Sequence, residues 1–84
     1  MAKCEHMKMA NPKVQASGDG CVECLQSGQR WVELRECLVC GHVGCCDSSL
    51  GRHATQHFHD TGHPVMQPLH SGDWRWCYIH QDYV

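Results

Sequence analysis

Two closely spaced pairs of cysteines stand out in this 84-residue chain, Cys21 with Cys24 and Cys37 with Cys40. A Cys-x-x-Cys spacing lets both sulfur atoms face one tetrahedral metal ion while the backbone between them turns tightly. The chain holds eight cysteines and eight histidines, a large excess over ordinary composition, and zinc uses both residue types as ligands. The sequence therefore predicts a fold organised around zinc.

Disulfide bonds are the other way in which cysteines stabilise a small domain, and they are typical of secreted proteins. The N-terminal segment MAKCEHMKMANPK carries charges throughout and has no apolar run of the kind found in a signal peptide. A disulfide framework also gives no reason for histidines to equal cysteines in number. We therefore expect zinc rather than disulfides, in a cytoplasmic protein.

Size and charge narrow the function classes further. The core of so small a domain supplies only about 3–5 kcal/mol, so metal binding is expected to supply much of the stability. The formal net charge is −2 and the basic residues are spread thinly, which argues against nucleic-acid binding. No apolar run approaches the roughly 20 residues of a membrane span, and we expect a monomer that does not enter a membrane.

Local patterns predict a small α+β domain over residues 1–84, with a short twisted antiparallel sheet and one main helix. The helix is expected at about 50–60, with Gly62 as its C-terminal stop. Its candidate N-caps are Asp47, Ser48 and Ser49. Strands are expected at 31–36, 65–68 and 74–79. Residues 11–20, rich in Gly, Ser and Pro, are expected to form a loop.

His53 and His57 lie four residues apart in the predicted helix and therefore share one of its faces. Helical geometry alone would let them share one zinc, as in enzymes with an H-E-x-x-H motif, but here no glutamate lies between them to act as a general base. A catalytic zinc also needs an open coordination position, whereas this chain offers a surplus of ligands. We expect a binding protein rather than an enzyme.

The run CLVCGHVGCCDSSLGRHATQHFHDTGHPV, followed by WRWCY, resembles the UBP-type zinc finger, also called the ubiquitin-specific-protease zinc finger. It is similar to the small stand-alone bacterial members of that family. The resemblance implies interleaved cross-brace sites for three zinc ions. The first site would use Cys21, Cys24, Cys45 and His53. The second would use Cys37, Cys40, His57 and His63, and the third Cys4, His6, Cys77 and His80.

Some residues beside these sites have alternative roles. Cys46 adjoins Cys45, and because consecutive side chains usually point apart, we expect only Cys45 to be a ligand. Cys46 is then either a small buried side chain or a reactive thiol. Asp82 is an alternative oxygen ligand to His80, which could instead be a surface histidine. The remaining histidines are expected near the sites or facing solvent: His42, His59 and His70.

Many eukaryotic members of the family bind the free C-terminal Gly-Gly tail of ubiquitin in a pocket formed by aromatic side chains and an arginine. Trp76 and Tyr78 match the aromatic positions, and strand alternation places both on the face opposite Cys77. Asp47 stands at the position of the family's arginine, and its charge would repel a C-terminal carboxylate. Arg35 or Arg52 would then have to supply the positive charge.

The resemblance thus implies an interaction module that recognises a protein or peptide partner, in some members a C-terminal tail, through the face of Trp76 and Tyr78. A purely structural or metal-buffering protein is the alternative, and it predicts that this aromatic face is buried. A thiol redox sensor or enzyme is a third hypothesis, which needs an exposed Cys46 thiol of lowered pKa beside a base.

Overall fold

The computed structural model describes residues 4–84. Five short strands are present: β1 Leu34–Cys37, β2 Val43–Cys45, β3 Val65–Pro68, β4 Trp76–Cys77 and β5 Asp82–Tyr83. They form one antiparallel sheet in the order β2-β1-β3-β4-β5. The helical elements are a 3₁₀ helix at Glu5–Met9, α1 at Val22–Ser27 and α2 at His53–Thr61. The expected α+β class, with an antiparallel sheet and one main helix, is confirmed.

The main helix α2 begins three residues later than expected. None of the three candidate N-caps performs that role, and the N-cap residue is Arg52, in the left-handed conformation with φ 45° and no capping side chain. The N–H of His53 instead donates to the sulfur of Cys45 over 3.2 Å. The predicted stop is confirmed, because Gly62 adopts φ 77° and its N–H donates to the carbonyl of Phe58.

The strands agree with expectation at β3 and differ elsewhere. β1 begins at Leu34 rather than at residue 31, because the N–H of Val32 donates to the Ser49 hydroxyl instead of a neighbouring strand. The strand expected at 74–79 is reduced to β4. Its continuation is cut by a turn in which the Gln81 N–H donates to the Cys77 carbonyl and Gln81 adopts φ 54°. The chain then returns as β5, which was not predicted.

The smaller elements were also not predicted. β2 is only three residues long, and α1 begins within the Cys21-x-x-Cys24 pair and continues to Ser27. The sulfur of Cys21 accepts the N–H of Cys24 at 3.4 Å, so a cysteine rather than a polar side chain caps this short helix. Segment 11–20 contains neither helix nor strand, as expected.

The core consists of two small groups of buried side chains rather than one large apolar interior. One group contains Cys21, Cys24, Leu34, Val43 and Cys45, with Trp31 and Leu69 packed against it. The other contains Leu38, Val65 and Cys77, with part of the N-terminal segment packed against it. Cysteines therefore occupy positions that aliphatic side chains fill in an ordinary core.

Helix α2 packs directly on β2 through Gly44. A β carbon at Gly44 would lie only 2.6 Å from the backbone nitrogen of Ala54, in the first turn of α2. Such a contact leaves no room for a side chain, so glycine permits the close approach of helix and strand. This approach places the first residue of α2, His53, beside the last residue of β2, Cys45.

Candidate metal centres and aromatic groove

Twelve cysteine and histidine side chains lie in three groups of four, and within each group the candidate ligand atoms are all within 4.8 Å of one another. The first cluster contains Cys21, Cys24, Cys45 and His53. The second cluster contains Cys37, Cys40, His57 and His63. The third cluster contains Cys4, His6, Cys77 and His80. The structure thus brings together the same four residues that the resemblance assigns to each site.

The first cluster is the most enclosed of the three. His53 Nδ1 lies 3.2 Å from Sγ of Cys21, 3.4 Å from Sγ of Cys24 and 3.3 Å from Sγ of Cys45. A tetrahedral zinc ion with bonds of about 2.3 Å to sulfur and about 2.0 Å to nitrogen holds those atoms about 3.6 Å apart. The three cysteines are fully buried. The donor set and its spacing therefore fit one structural zinc ion.

The second cluster joins β1 and the turn after it to the middle of α2 and to the residue that follows its C-terminal cap. Cys37 Sγ lies 3.6 Å from His63 Nδ1, and Cys40 Sγ lies 3.4 Å from His57 Nε2. These separations also match the edge of a zinc tetrahedron. Along the chain the ligands of the two clusters alternate, since His53 belongs to the first cluster and His57, one helical turn later, belongs to the second.

The third cluster connects the 3₁₀ helix to the turn after β4. His6 Nδ1 lies 3.3 Å from Sγ of Cys77 and 3.7 Å from Sγ of Cys4. The rings of His6 and His80 have centroids 4.7 Å apart. Cys77 is buried, whereas His80 is exposed. Asp82, the alternative ligand, is not grouped with the other residues of the part of the chain that the structure describes.

Burial makes the thiolate form of several of these cysteines unfavourable when no cation is near. Desolvation raises the pKa of Cys24 to about 12 and also raises the pKa of Cys21, Cys37 and Cys77. A divalent cation compensates the charge that burial disfavours, and its binding must displace the thiol protons. Metal binding at these clusters is therefore coupled to pH.

A network that the sequence analysis missed connects the first two clusters. Glu23 lies in α1, between two cysteines of the first cluster, and both of its carboxylate oxygens are 2.9 Å from His42 Nε2. The ring of His42 stacks on that of His57 in the second cluster, with centroids 4.1 Å apart and planes inclined by 4°. The sequence analysis expected His42 near a metal site or facing solvent, but no sequence pattern indicated a role for Glu23.

The other unassigned residues are placed differently. Cys46 is 7% exposed, is absent from the first cluster and has its sulfur 3.7 Å from the Ser49 hydroxyl oxygen. Burial acts to raise the pKa of Cys46, but hydrogen bonds with Ser49 and neighbouring backbone outweigh it, so the pKa is lowered. His59 and His70 are exposed. His57 has a lowered pKa because of burial and the nearby rings of His42 and His63.

A groove of about 480 Å³ lies on the side of β4 away from the third cluster. Five aromatic side chains line it: Phe58, Trp74, Trp76, Tyr78 and Tyr83. Phe58 stacks on Tyr78 with ring centroids 4.8 Å apart, and Tyr83 makes edge contacts with Trp74 and Trp76. We call this feature the aromatic groove. Trp76 and Tyr78 therefore face away from Cys77, as strand alternation predicts.

Two oppositely charged residues also line the aromatic groove. The guanidinium of Arg35 lies 4.8 Å from the centre of the Trp74 ring and donates to the carbonyl of Leu34. The carboxylate of Asp47 accepts a hydrogen bond of 2.5 Å from the Thr55 hydroxyl. Arg52, the other predicted ligand-binding arginine, is exposed at the start of α2 and is not among the described residues that line the groove.

Tyr78 is a half-buried residue of the aromatic groove. Burial raises its pKa to about 12; the nearby hydroxyl of Thr55 acts in the opposite direction, and the charge of Asp47 raises the pKa further. The phenol is therefore neutral at physiological pH. The groove thus presents aromatic faces to a ligand, together with several hydroxyl groups, one guanidinium and one carboxylate.

Comparison with known proteins decides the family. The family model for the "Zn-finger in ubiquitin-hydrolases and other protein" matches residues 21–84. This chain belongs to that zinc-finger family. The matched range includes every residue of the first two clusters and the aromatic groove. Cys4 and His6 of the third cluster precede it.

Curated relatives carry this zinc finger as a small part of much longer chains. The BRCA1-associated proteins of human and mouse are each 36% identical over 64 residues, which is 76% of this chain and 10% of each relative. The NAD-dependent deacetylase sir2A of Dictyostelium discoideum is 33% identical over 76% of this chain and 11% of its own length. The chain thus spans about one tenth of the length of the curated relatives that it matches.

A solved structure resembles nearly the whole chain. It is the solution NMR structure of protein RPA1320 from Rhodopseudomonas palustris, with 45% sequence identity and a TM-score of 0.88. The similarity covers 99% of this chain and 81% of that one, so it extends through the N-terminal segment of the third cluster. Within residues 4–84, no helix of this zinc finger is both long and apolar enough to cross a membrane.

Proposed function

We propose that this zinc finger binds three zinc ions, one in each cluster, and that the resulting scaffold presents the aromatic groove to a peptide segment of a partner protein. The observation that carries the peptide-binding role is an open groove lined by five aromatic side chains. Small-molecule and peptide sites are typically concave and mostly apolar with a few polar groups, and this groove has that composition. The family membership supports the same conclusion.

The donor sets support zinc rather than another metal. Every cluster combines thiolate sulfur with imidazole nitrogen, a set that suits zinc and not the oxygen-preferring calcium or magnesium. Each cluster supplies four ligands, which closes a tetrahedron and leaves no position for a substrate or an activated water. We therefore infer structural ions and a binding protein rather than an enzyme. Eight free cysteines are also compatible with the reducing environment of the cytoplasm.

The exposure of the aromatic side chains supports binding over a purely structural role. A structural or metal-buffering protein has no reason to leave an aromatic face open, yet Trp74, Trp76 and Tyr78 are only half-buried and Tyr83 is 64% exposed. The thiol-sensor hypothesis needs an accessible sulfur, whereas Cys46 is buried beside Ser49. The groove therefore favours recognition of a partner.

The metal content is tested by native mass spectrometry of the zinc-loaded chain, for which we expect a mass increase of three zinc ions with loss of the ligand protons. His80→Ala should remove one of the three ions and leave the other two. Retention of two ions by the unaltered chain would restrict the proposal to the first two clusters, which are the more enclosed.

Peptide binding is tested by NMR titration with two short peptides that end in Gly-Gly, one with a free carboxylate and one amidated. We expect shifts at Trp76 and Tyr78 with the amidated peptide at least as large as with the free acid, because Asp47 repels a carboxylate. Shifts confined to the free acid would instead indicate tail recognition of the ubiquitin type, with Arg35 as the cation. If neither peptide shifts these signals at millimolar concentration, tail binding by this chain is excluded.

A pair of variants checks that the groove is the binding surface. Tyr83→Ala removes the most exposed aromatic wall and should weaken binding of whichever peptide binds, by about 5-fold or more. Leu50→Ala removes another exposed apolar side chain that does not line the groove among residues 4–84, and it should leave binding unchanged. Equal weakening by both variants would contradict a specific groove.

A further inference from the structure

We propose that the aromatic groove selects a peptide segment with a positively charged side chain, and that Asp47 is the residue that recognises this charge. The inference rests on the proposed peptide-binding function and adds the chemistry of the partner. It follows from the different ways in which the two charged groups of the groove are compensated.

Asp47 brings to the groove a negative charge that forms no ion pair with the basic side chains of residues 4–84. The side chain is exposed, and its one hydrogen-bond partner in that range is the neutral hydroxyl of Thr55. Within residues 4–84 the sole salt bridge joins His42 to Glu23, so neither Arg35 nor another basic group lies within 4.0 Å of this carboxylate. A carboxylate has about four acceptor positions, and most of those on Asp47 remain free for a ligand.

Arg35, in contrast, already has partners within the protein. Its guanidinium lies over the Trp74 ring and donates to a backbone carbonyl. Both contacts stabilise the cation and hold the half-buried guanidinium in place, whereas Asp47 is exposed. The more accessible charge of the groove is therefore negative.

The aromatic walls favour the same ligand. The face of an aromatic ring carries partial negative charge and attracts a cation within about 6 Å. The placement of Arg35 on Trp74 shows this interaction in the groove itself. Trp76 and Tyr83 are the accessible rings that remain, and both line the same groove as Asp47. A lysine side chain could thus contact aromatic faces with its stem and Asp47 with its ammonium group.

The size of the groove is suited to such a segment. Its volume of about 480 Å³ lies within the range of roughly 300–1,000 Å³ that is typical of ligand sites. That space holds one long side chain with part of the flanking backbone, and it is too small for a folded domain. A peptide with an internal lysine and no free terminal carboxylate at the groove is the partner that fits both the charge and the volume.

The test uses the zinc-loaded full chain and three peptides of the form acetyl-Gly-Gly-X-Gly-Gly-amide, in which X is Lys, Gln or Glu. Their blocked ends leave X as the only source of charge. In an NMR titration followed at Trp76 and Tyr78, we expect the Lys peptide to bind about 5- to 20-fold more tightly than the Gln peptide. The Glu peptide should bind most weakly.

Asp47→Asn should remove most of the preference for Lys over Gln while leaving affinity for the Gln peptide within about 2-fold. Asp60→Asn is the matched control, because it removes the same charge from an exposed position of α2 outside the groove, and it should keep the preference. If Asp47→Asn disturbs the fold, salt provides the second measurement. Raising ionic strength from about 0.05 M to about 0.5 M should remove most of the Lys advantage in the unaltered chain.

The outcomes separate this inference from the function on which it rests. Equal binding of the Lys and Gln peptides, or a Lys preference that persists in Asp47→Asn, would overturn the role of Asp47 and leave peptide binding intact. Stronger binding of the Glu peptide would indicate that Arg35 selects the partner instead. If no peptide shifts any groove signal, peptide recognition and its charge preference both fail.

Discussion

The first and third clusters offer a metal nearly the same donors in very different surroundings. In the first cluster three buried sulfur atoms surround the nitrogen of His53, and these cysteines are also part of the apolar core. In the third cluster only Cys77 is fully buried, and His80 is open to solvent. The first cluster therefore replaces a hydrophobic core, whereas the third fastens the N-terminal segment onto β4.

The difference shows that ligand type alone does not determine what a metal site contributes to a fold. Water and protons reach an exposed imidazole readily, and their competition weakens the site. A buried sulfur, once its proton has been displaced, interacts with the ion in a medium of low polarity, where attraction is stronger. The first cluster is therefore expected to dominate stability, and four experiments test that ranking.

The largest effect is expected from removal of all zinc. A structural zinc ion contributes on the order of 10–16 kcal/mol of apparent binding free energy coupled to folding, which exceeds what a core of this size supplies. Treatment with a strong chelator at pH 7 should therefore unfold the chain, with loss of NMR chemical-shift dispersion and of helical circular dichroism. During stepwise chelation, signals of His6 and His80 should change before those of His53. Native dispersion after complete metal removal would contradict the central role of the clusters.

Substitution of one ligand in each cluster should give unequal losses. Cys24→Ser places a poor ligand in the buried first cluster and should lower the free energy of unfolding by about 5 kcal/mol or more, enough to leave the chain largely unfolded at 25 °C. His80→Ala should cost only about 2–3 kcal/mol, because loss of the third ion releases only the N-terminal segment from β4. Thermal unfolding of the zinc-loaded variants measures both values. Similar losses would remove the distinction between the clusters.

Acidification should release the zinc ions in the same order as chelation, from the third cluster before the first. Because burial keeps the pKa of Cys21 and Cys24 above 9.0, zinc must displace a proton from each. With both of these thiols protonated when free, the zinc-binding free energy of the first cluster falls by about 2.7 kcal/mol for each unit by which the pH decreases. The third cluster, being weaker and more accessible, should lose its metal first as pH falls below 7. NMR spectra recorded at stepwise lower pH follow both clusters.

Without metal, the same raised pKa values would give the opposite pH dependence of stability. A thiol whose pKa is raised in the folded state favours that state fully below the unfolded value of 9.0, and this contribution is lost as pH rises toward 12, because the unfolded chain ionises first. Stability that increased on acidification of the zinc-loaded chain would therefore indicate that the cysteines do not bind metal as thiolates.

The smallest effect is expected at the network between the first two clusters. His42→Gln removes the ring that stacks on His57 and is held in place by Glu23. The substitution should weaken zinc binding at the second cluster about 10- to 100-fold. His70→Gln, at an exposed histidine outside the clusters, is the control and should have no effect. Competition with a chromophoric chelator measures the affinities. An unchanged affinity in His42→Gln would show that the second cluster does not depend on this stack.

The two Cys-x-x-Cys pairs and the position of β3 could be anticipated from the sequence, because cysteine spacing and short apolar strands carry strong local signals. The grouping of the ligands into three sites came from the resemblance to the UBP-type zinc finger. The start of α2 could not be anticipated from the sequence. The N–H of its first residue donates to the sulfur of Cys45, whereas known capping preferences describe oxygen acceptors. The end of β4 depends on the left-handed conformation of Gln81, a residue type with no strong preference for it.

The aromatic groove was only partly predictable. Trp76 and Tyr78 follow from alternation around Cys77, but Phe58 and Tyr83 enter the groove from α2 and β5. The position of α2 depends on the clusters at its two ends, and β5 exists because the chain turns at Gln81. Long-range placement of this kind leaves no periodic pattern in the sequence.

The alternation of ligands between the first two clusters makes this stretch of chain indivisible. Classical tandem fingers each complete a metal site within one contiguous segment, so they can be cut apart, recombined and repeated as modules. Here a cut between His53 and His57 leaves the first cluster complete but removes two ligands of the second, and a cut between Cys40 and Cys45 leaves neither site complete. The zinc finger can therefore be transferred to another protein only whole, with both metal sites in one piece.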